Sequence, residues 1–358
     1  MVINTHEIAL IEGDGIGPEL VESAVKVLDA LSTRQGFALN FTRFRGGAAA
    51  YTDLGTNLEQ GALERFRARE FAAIMKGPVG LPSVRRPDGT EAGLLGGVLR
   101  GGLDTYANVR PVQLLEGVKT PVVHKPGTID YVIVRENTEG LYLSRGLGVG
   151  TRDAMVDQLF ISRAGTERVA RYAFELALKR NGAPADGVRR VTVVDKSNVL
   201  RSFALFHDVV EEIAEGYPDI ELDHRYSDAA AHDLVMAPSH FDVVLTENFV
   251  GDILSDLGAA TVGGLGMCGT GNLGDGAAYF EPVHGSAPTI AGQDCANPSS
   301  QLLCAVMMLD HIGEVDAAAA LRNAVCVAFR DGIVSLDEFG RPSGGTSAVT
   351  KGLVDLVS

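Results

Sequence analysis

Phe241-Asp242-Val243-Val244-Leu245-Thr246 runs directly into Glu247-Asn248-Phe249-Val250-Gly251-Asp252-Ile253-Leu254-Ser255-Asp256-Leu257. The first stretch is short, apolar and β-branched, as a buried strand is, and the second carries helical spacing. On that helix Asp252 and Asp256, four residues apart, stack on one face at a strand's carboxyl end. α/β proteins place ligands at such ends, and hard divalent cations take oxygen donors there. Two stacked carboxylates repel, so the pair calls for something positive between them.

The same strand-then-helix order extends outward. His6 to Glu12 reads as a strand, Gly13-Asp14-Gly15-Ile16-Gly17-Pro18 as a turn, and Glu19 to Leu31 as a helix with Pro18 in its first turn. Ala72–Met75, Tyr131–Arg135, Val191–Val194 and Val243–Thr246 read as further strands, and Thr166–Lys179 and Phe203–Ala214 as helices. The alternation makes an α/β chain. Asn181–Gly187 is a turn, and the segment from Gly263 to Gly276 is the longest glycine-rich stretch.

At 358 residues the chain exceeds one ordinary core, so two domains or one large α/β unit are expected. The net charge of −15 argues against general affinity for nucleic acid or anionic membrane, which leaves small molecules and cations as partners. Cys268, Cys295, Cys304 and Cys326 lack metal-ligand spacing and read as buried small hydrophobes in a reducing compartment. With neither a leader pattern nor a membrane-length apolar run, the expectation is a cytoplasmic protein.

Several stretches carry candidate chemistry. The Gly13–Gly17 cluster lacks Gly-x-Gly-x-x-Gly, and Asp14 would oppose a pyrophosphate, so a tight structural turn is the favoured reading. Arg100, Arg110 and Arg135 offer planar forks suited to carboxylates, although each alone reads as a surface ion pair. Tyr142, just past a strand, reads singly as a packed amphipath. Lys196 ends a strand and serves as a base where a neighbouring cation lowers its pKa. His284 stands in the string Glu281-Pro282-Val283-His284-Gly285-Ser286-Ala287-Pro288-Thr289-Ile290, which leads to Asn297.

Together these segments resemble the β-decarboxylating dehydrogenases, the isocitrate/isopropylmalate dehydrogenase family, and the match covers nearly the whole chain. The resemblance implies two α/β domains sharing a central sheet, a fold that is not Rossmann. Residues 1–105 with 260–358 would form a large cofactor-binding domain, and 106–259 a smaller substrate, metal and dimerisation domain. It implies Tyr142 and Lys196 as the catalytic pair, and Arg100, Arg110 and Arg135 as substrate-carboxylate residues. Asp228, Asp252 and Asp256 would be ligands of Mg²⁺ or Mn²⁺. Glu281, His284, Gly285, Ser286, Ala287, Thr289, Ile290 and Asn297 would bind the nicotinamide cofactor. Lys196 and Asp228 would reach the site of the other subunit, so the active species would be a homodimer with shared sites.

Substrate choice in this family turns on the residues before the first clamp arginine. Leu94, Leu95 and Gly97 stand there, with nothing to hold a third carboxylate. The leucines are similar to those that face an alkyl branch in isopropylmalate enzymes, whereas Asn137-Thr138-Glu139-Gly140 is closer to the isocitrate, homoisocitrate and tartrate branches. The expectation is an NAD-dependent 3-isopropylmalate dehydrogenase. D-malate or tartrate, homoisocitrate and isocitrate are alternative substrates, and a non-catalytic regulatory subunit is a remote alternative. Thr289-Ile290, in place of the Lys-Tyr of NADP-dependent isocitrate enzymes, favours NAD, with NADP the alternative.

Overall fold

A computed structural model describes residues 3–87, 89–144 and 146–358. The chain forms two compact units, one of Met1–Asp104, Leu115–Lys119 and Gly263–Ser358, the other of Thr105–Leu114 and Thr120–Val262. Both combine strands and helices, as the sequence predicts. The expected division lacks the excursion at Leu115–Lys119. That segment joins the first unit because Leu115 and Val118 pack into its core, and Gly117, at φ 86°, lies where a Cβ would strike the Phe329 carbonyl.

In the first unit the strand order is Phe37–Phe44, Asn4–Ile11, Ala73–Lys76, Ala278–Pro282, Gly269–Leu273. The first four run parallel and the last is antiparallel to its neighbour. Asn4–Ile11 shows how the layers form. Ile8 and Leu10 enter a core built with the helices Gly17–Gln35, Ser299–His311, Val315–Arg330 and Gly345–Val357, while Ala9 and Ile11 enter the opposite core with Phe44, Phe66 and Leu99. A strand buried on both faces needs a continuous apolar run, and each such Leu or Ile contributes roughly 1.5–3 kcal/mol.

Gly269–Leu273 is a strand inside what reads as a glycine-rich loop. Its glycines hide it: Gly271 leaves room for Met307 and Phe280, whose atoms would lie 3.0 and 3.2 Å from an added Cβ. Cys268 and Cys304 are buried as expected, but Cys295 and Cys326 are only partly covered.

The second unit carries the order Ala107–Gln113, Asp130–Glu136, Val243–Thr246, Arg190–Asp195, Glu221–Tyr226. The last four are mutually parallel. Their carboxyl ends therefore lie together, and they deliver Arg135, Glu247, Lys196 and, two residues past the last strand, Asp228 to one edge. A small hairpin, Val149–Gly150 with Met155–Val156, completes this unit.

Candidate active site

The helix Asn248–Thr261 starts where the strand Val243–Thr246 stops. Glu247 caps it by accepting the Val250 N–H at 2.6 Å. Asp252 and Asp256 share a face, and the positive group between them is Arg110, whose Nη1 lies 3.2 Å from Asp256 and Nη2 3.9 Å from Asp252. Arg110 is held by Ser255 Oγ at 2.6 Å and Asn108 Oδ1 at 2.9 Å. Arg135, almost wholly buried, pairs with Asp252 and donates to Asn248 Oδ1 from Nε at 3.0 Å and Nη2 at 2.6 Å. Tyr142 donates its hydroxyl to Asp252 Oδ2 at 2.8 Å, and its ring lies 5.7 Å from the Arg135 guanidinium.

Environment pulls the two aspartates apart. Burial would raise the Asp252 carboxyl, but Arg135, the Tyr142 hydroxyl and Arg110 outweigh it and hold the group below its ordinary range. At Asp256 burial prevails over Arg110, Asp252 adds like-charge repulsion, and the carboxyl is raised. Asn108, Asn248 and Ser255 have no role in the sequence reading, although Asn248 lies one helical turn before Asp252. Gly251 offers a clearer signal: a Cβ there would lie 2.7 Å from Arg135 Cγ and collide with Thr246 Oγ1.

Lys196 and Asp228 pair with each other, and the Lys196 ammonium lies 5.8 Å from the Tyr226 ring centroid. The Lys196 hydrogen bond lowers the Asp228 carboxyl. Within one chain, then, Asp228 stands with Lys196 while Asp252 and Asp256 stand with Arg110. Among the described residues, these three aspartates do not form a close ligand group.

The first unit contains a cavity of about 600 Å³. His284, Gly285, Ala287, Ile290 and Asn297 line it, together with Ile16, Gly263–Gly266, Cys295, Ala296 and Glu338–Arg341, which the sequence reading does not assign to the cofactor. Glu281, Ser286 and Thr289 are not among its lining residues. Glu281 pairs with buried Lys76 at 2.7 Å, and Ser286 Oγ donates to the Gly80 carbonyl. The Gly13–Gly17 turn abuts this loop: Ile16 N donates to Ser286 O at 2.8 Å, and a Cβ on Gly15, at φ 58°, would strike that same oxygen. Asp14 accepts the N–H groups of Ala48, Ala49 and Gly80 at 2.8, 2.9 and 2.7 Å, so its carboxylate ties the turn down.

Arg100 lies on the helix Gly96–Leu103 of the same unit. Leu95 departs from the expected substrate set. It is fully buried among Ile11, Leu58 and Leu99 and serves the core, whereas Leu94 is half-buried and Gly97 faces open space.

Residues 7–357 match the model of the "Isocitrate/isopropylmalate dehydrogenase" family. The chain belongs to that family. Its members are decarboxylating dehydrogenases, so the protein is an oxidoreductase. Among its relatives is the 3-isopropylmalate dehydrogenase of Thermobifida fusca, 43% identical with 91% of each chain covered. That of Symbiobacterium thermophilum is 38% identical, with 99% of each covered. A solved isocitrate dehydrogenase from Methylococcus capsulatus superposes with a TM-score of 0.86 at 39% identity, covering 98% of this chain and 99% of that one. The family fold is thus common to members named for different substrates. No helix among the described residues is long and apolar enough to cross a membrane.

The residues present suit the family's cofactors. Asp228, Asp252 and Asp256 offer hard oxygen donors, with side chains 74%, 40% and 56% exposed, open to a Mg²⁺-class cation. The cavity along the His284 loop offers apolar walls with a few polar groups, as nucleotide sites do.

Proposed function

We propose that the chain oxidises and decarboxylates a 3-substituted malate, with 3-isopropylmalate as its substrate and NAD as its acceptor. The observation that carries this reading is the convergence of Arg135 and Tyr142, with Arg110 from the adjacent antiparallel strand, on Asp252 beside the carboxyl ends of the parallel strands. Guanidinium groups already paired with carboxylates there are prepared to take substrate carboxylates in the same geometry. Arg100 is assigned to this set by its position in the family pattern.

Asp228, Asp252 and Asp256 would hold a divalent cation, which would supply Lewis-acid polarisation of the substrate oxygens, and the cavity along the His284 loop would hold the nicotinamide that would serve as hydride acceptor. Lys196, directly or through water, takes the proton of the substrate hydroxyl as the C–H electron pair leaves. The arginines hold the carboxylates, keeping the scissile C–C bond aligned as carbon dioxide departs. Tyr142 then returns a proton to the carbon, and its contact with Asp252 keeps the hydroxyl aimed. In the resting chain Lys196 donates to Asp228 as an ammonium, so it must give up that proton before it can accept the one on the substrate hydroxyl.

The substrate assignment is supported by half-buried Leu94 beside exposed Gly97, an apolar surface without a partner for a third carboxylate, and by relatives named 3-isopropylmalate dehydrogenase. Isocitrate is the second reading, favoured by the likeness to the Methylococcus capsulatus enzyme. His284, Gly285, Ala287, Ile290 and Asn297 are proposed to hold NAD along the cavity they line. A homodimer is proposed because Leu143, Leu147, Val149, Met155, Val156 and Phe160 are at least half exposed in one hairpin region, more apolar surface than a monomer leaves bare.

The test is a rate comparison with isopropylmalate, isocitrate, homoisocitrate, D-malate and tartrate, each with NAD and NADP in the presence of Mn²⁺. Fastest NAD reduction with isopropylmalate is the expected result. Faster turnover of isocitrate removes the substrate assignment, and silence toward every acid removes the catalytic one.

A further inference from the structure

Asp195, His207 and His224 meet from three elements, and the proposed reaction uses none of them. Asp195 ends the strand Arg190–Asp195, His224 lies on the neighbouring strand Glu221–Tyr226, and His207 on the helix Arg201–Ala214. Asp195 is wholly buried, with Oδ2 3.0 Å from His207 Nδ1 and Oδ1 3.1 Å from His224 Nε2. One donor atom from each residue lies within 4.8 Å of the other two.

A buried carboxylate needs positive compensation, from an imidazolium or from a cation. The two cases differ at His207. Its Nδ1 faces Asp195 while its Nε2 lies 3.2 Å from Glu211, so both ring nitrogens face carboxylates, and a neutral imidazole carries a single N–H. With a cation on Nδ1, that N–H stays on Nε2 and points at Glu211. This is the carboxylate–histidine–metal order in which outer partners orient metal ligands. The Ser197 N–H, 2.8 Å from Asp195 Oδ1, orients the carboxylate in the same way.

We propose that Asp195, His207 and His224 form a second cation site, separate from the Asp252–Asp256 pair, for a transition metal of the Zn²⁺ class. Two imidazoles and one carboxylate suit Zn²⁺, Co²⁺ or Ni²⁺ better than Mg²⁺. A tetrahedral ion with bonds of roughly 2.0–2.1 Å sets its donors about 3.4 Å apart, so the two histidine–Asp195 separations of 3.0 and 3.1 Å would open by a few tenths of an ångström, and the third pair of donor atoms already lies within 4.8 Å. The side chains of His207 and His224 are 20% and 31% exposed, which leaves a way in and room for a water ligand.

The full chain, stripped by chelator and then held in saturating Mg²⁺ to occupy the hard aspartates, is titrated with Co²⁺ and followed by visible d–d absorption. One Co²⁺ per chain is expected, displaced by Zn²⁺, bound about tenfold more weakly by Glu211→Gln. Binding should be lost in His207→Gln and in His224→Gln and retained in Asp252→Asn. No absorption in the unsubstituted chain, or absorption that survives both histidine changes and vanishes with Asp252→Asn, overturns the site. Imidazole ¹⁵N NMR of the unsubstituted chain avoids any folding defect of the variants. With Zn²⁺ in excess, loss of the His207 Nδ1 proton supports the site, and retention of both ring protons makes His207 an imidazolium and ends the proposal.

Discussion

The two units build their functional surfaces by opposite means. In the first, the His284 loop and the Gly13–Gly17 turn are fitted by backbone: Gly15 lies against the Ser286 carbonyl, and Asp14 gathers three N–H groups. In the second, side-chain charge does the fitting, with Arg110 and Arg135 placed around Asp252 and Asp256. Substitution in the first unit should therefore act through stability, and in the second through chemistry.

The sharpest contrast comes from Lys196→Ala. Removing a proton acceptor is expected to lower kcat about 10²–10⁴-fold, while urea unfolding stays nearly unchanged because its partner Asp228 is exposed. Loss of stability comparable to loss of rate would break the division. Gly15→Ala is the converse case. Its left-handed backbone alone should cost about 1–3 kcal/mol, read by urea denaturation, with further cost from the Ser286 oxygen. An unchanged midpoint would show that the turn is not held by close approach.

Tyr142→Phe should separate the steps within the second unit. Hydride transfer continues while protonation after decarboxylation slows, so a pre-steady-state burst of reduced nicotinamide is expected before a slower steady state. Full steady-state turnover would take Tyr142 out of the reaction. Acid titration in chelator probes the smallest effect. Asp252 has a folded pKa below its unfolded value, so its stabilising contribution is present above the unfolded pKa and is lost as pH falls through the folded one. Asp256 is shifted upward, so its ionisation weakens the fold above its folded pKa. Asp252→Asn should flatten the acid limb of the stability profile, and Asp256→Asn should raise stability slightly at neutral pH. Equal slopes in both variants would mean that Arg110 and Arg135 do not distinguish the two carboxylates.

Local pattern made much of this visible in the sequence. Val243–Thr246 and Asn248–Thr261 are legible because a β-branched apolar run changes to helical period at Glu247. Gly269–Leu273 is not, because Gly269 admits Cys304, and Gly271 admits Met307 and Phe280, contacts that no local window contains. Leu95 carries the family pattern yet faces inward, since position in a motif does not tell whether the residue leading into a short helix is covered. The Asp195, His207 and His224 cluster is not legible in the sequence, because strand register brings Asp195 near His224 and helix packing adds His207. Glu338–Arg341 and Gly263–Gly266 line one cavity from segments too distant for any motif to join.

Gly251 contributes no functional group, yet it fixes where Arg135 can lie. A single methyl at this position would push the guanidinium away from Asn248 and Asp252 while every ionisable residue in the chain stayed in place. Emptiness is thus an ingredient of the chemistry, and an inventory of polar side chains alone would pass such a lesion as silent.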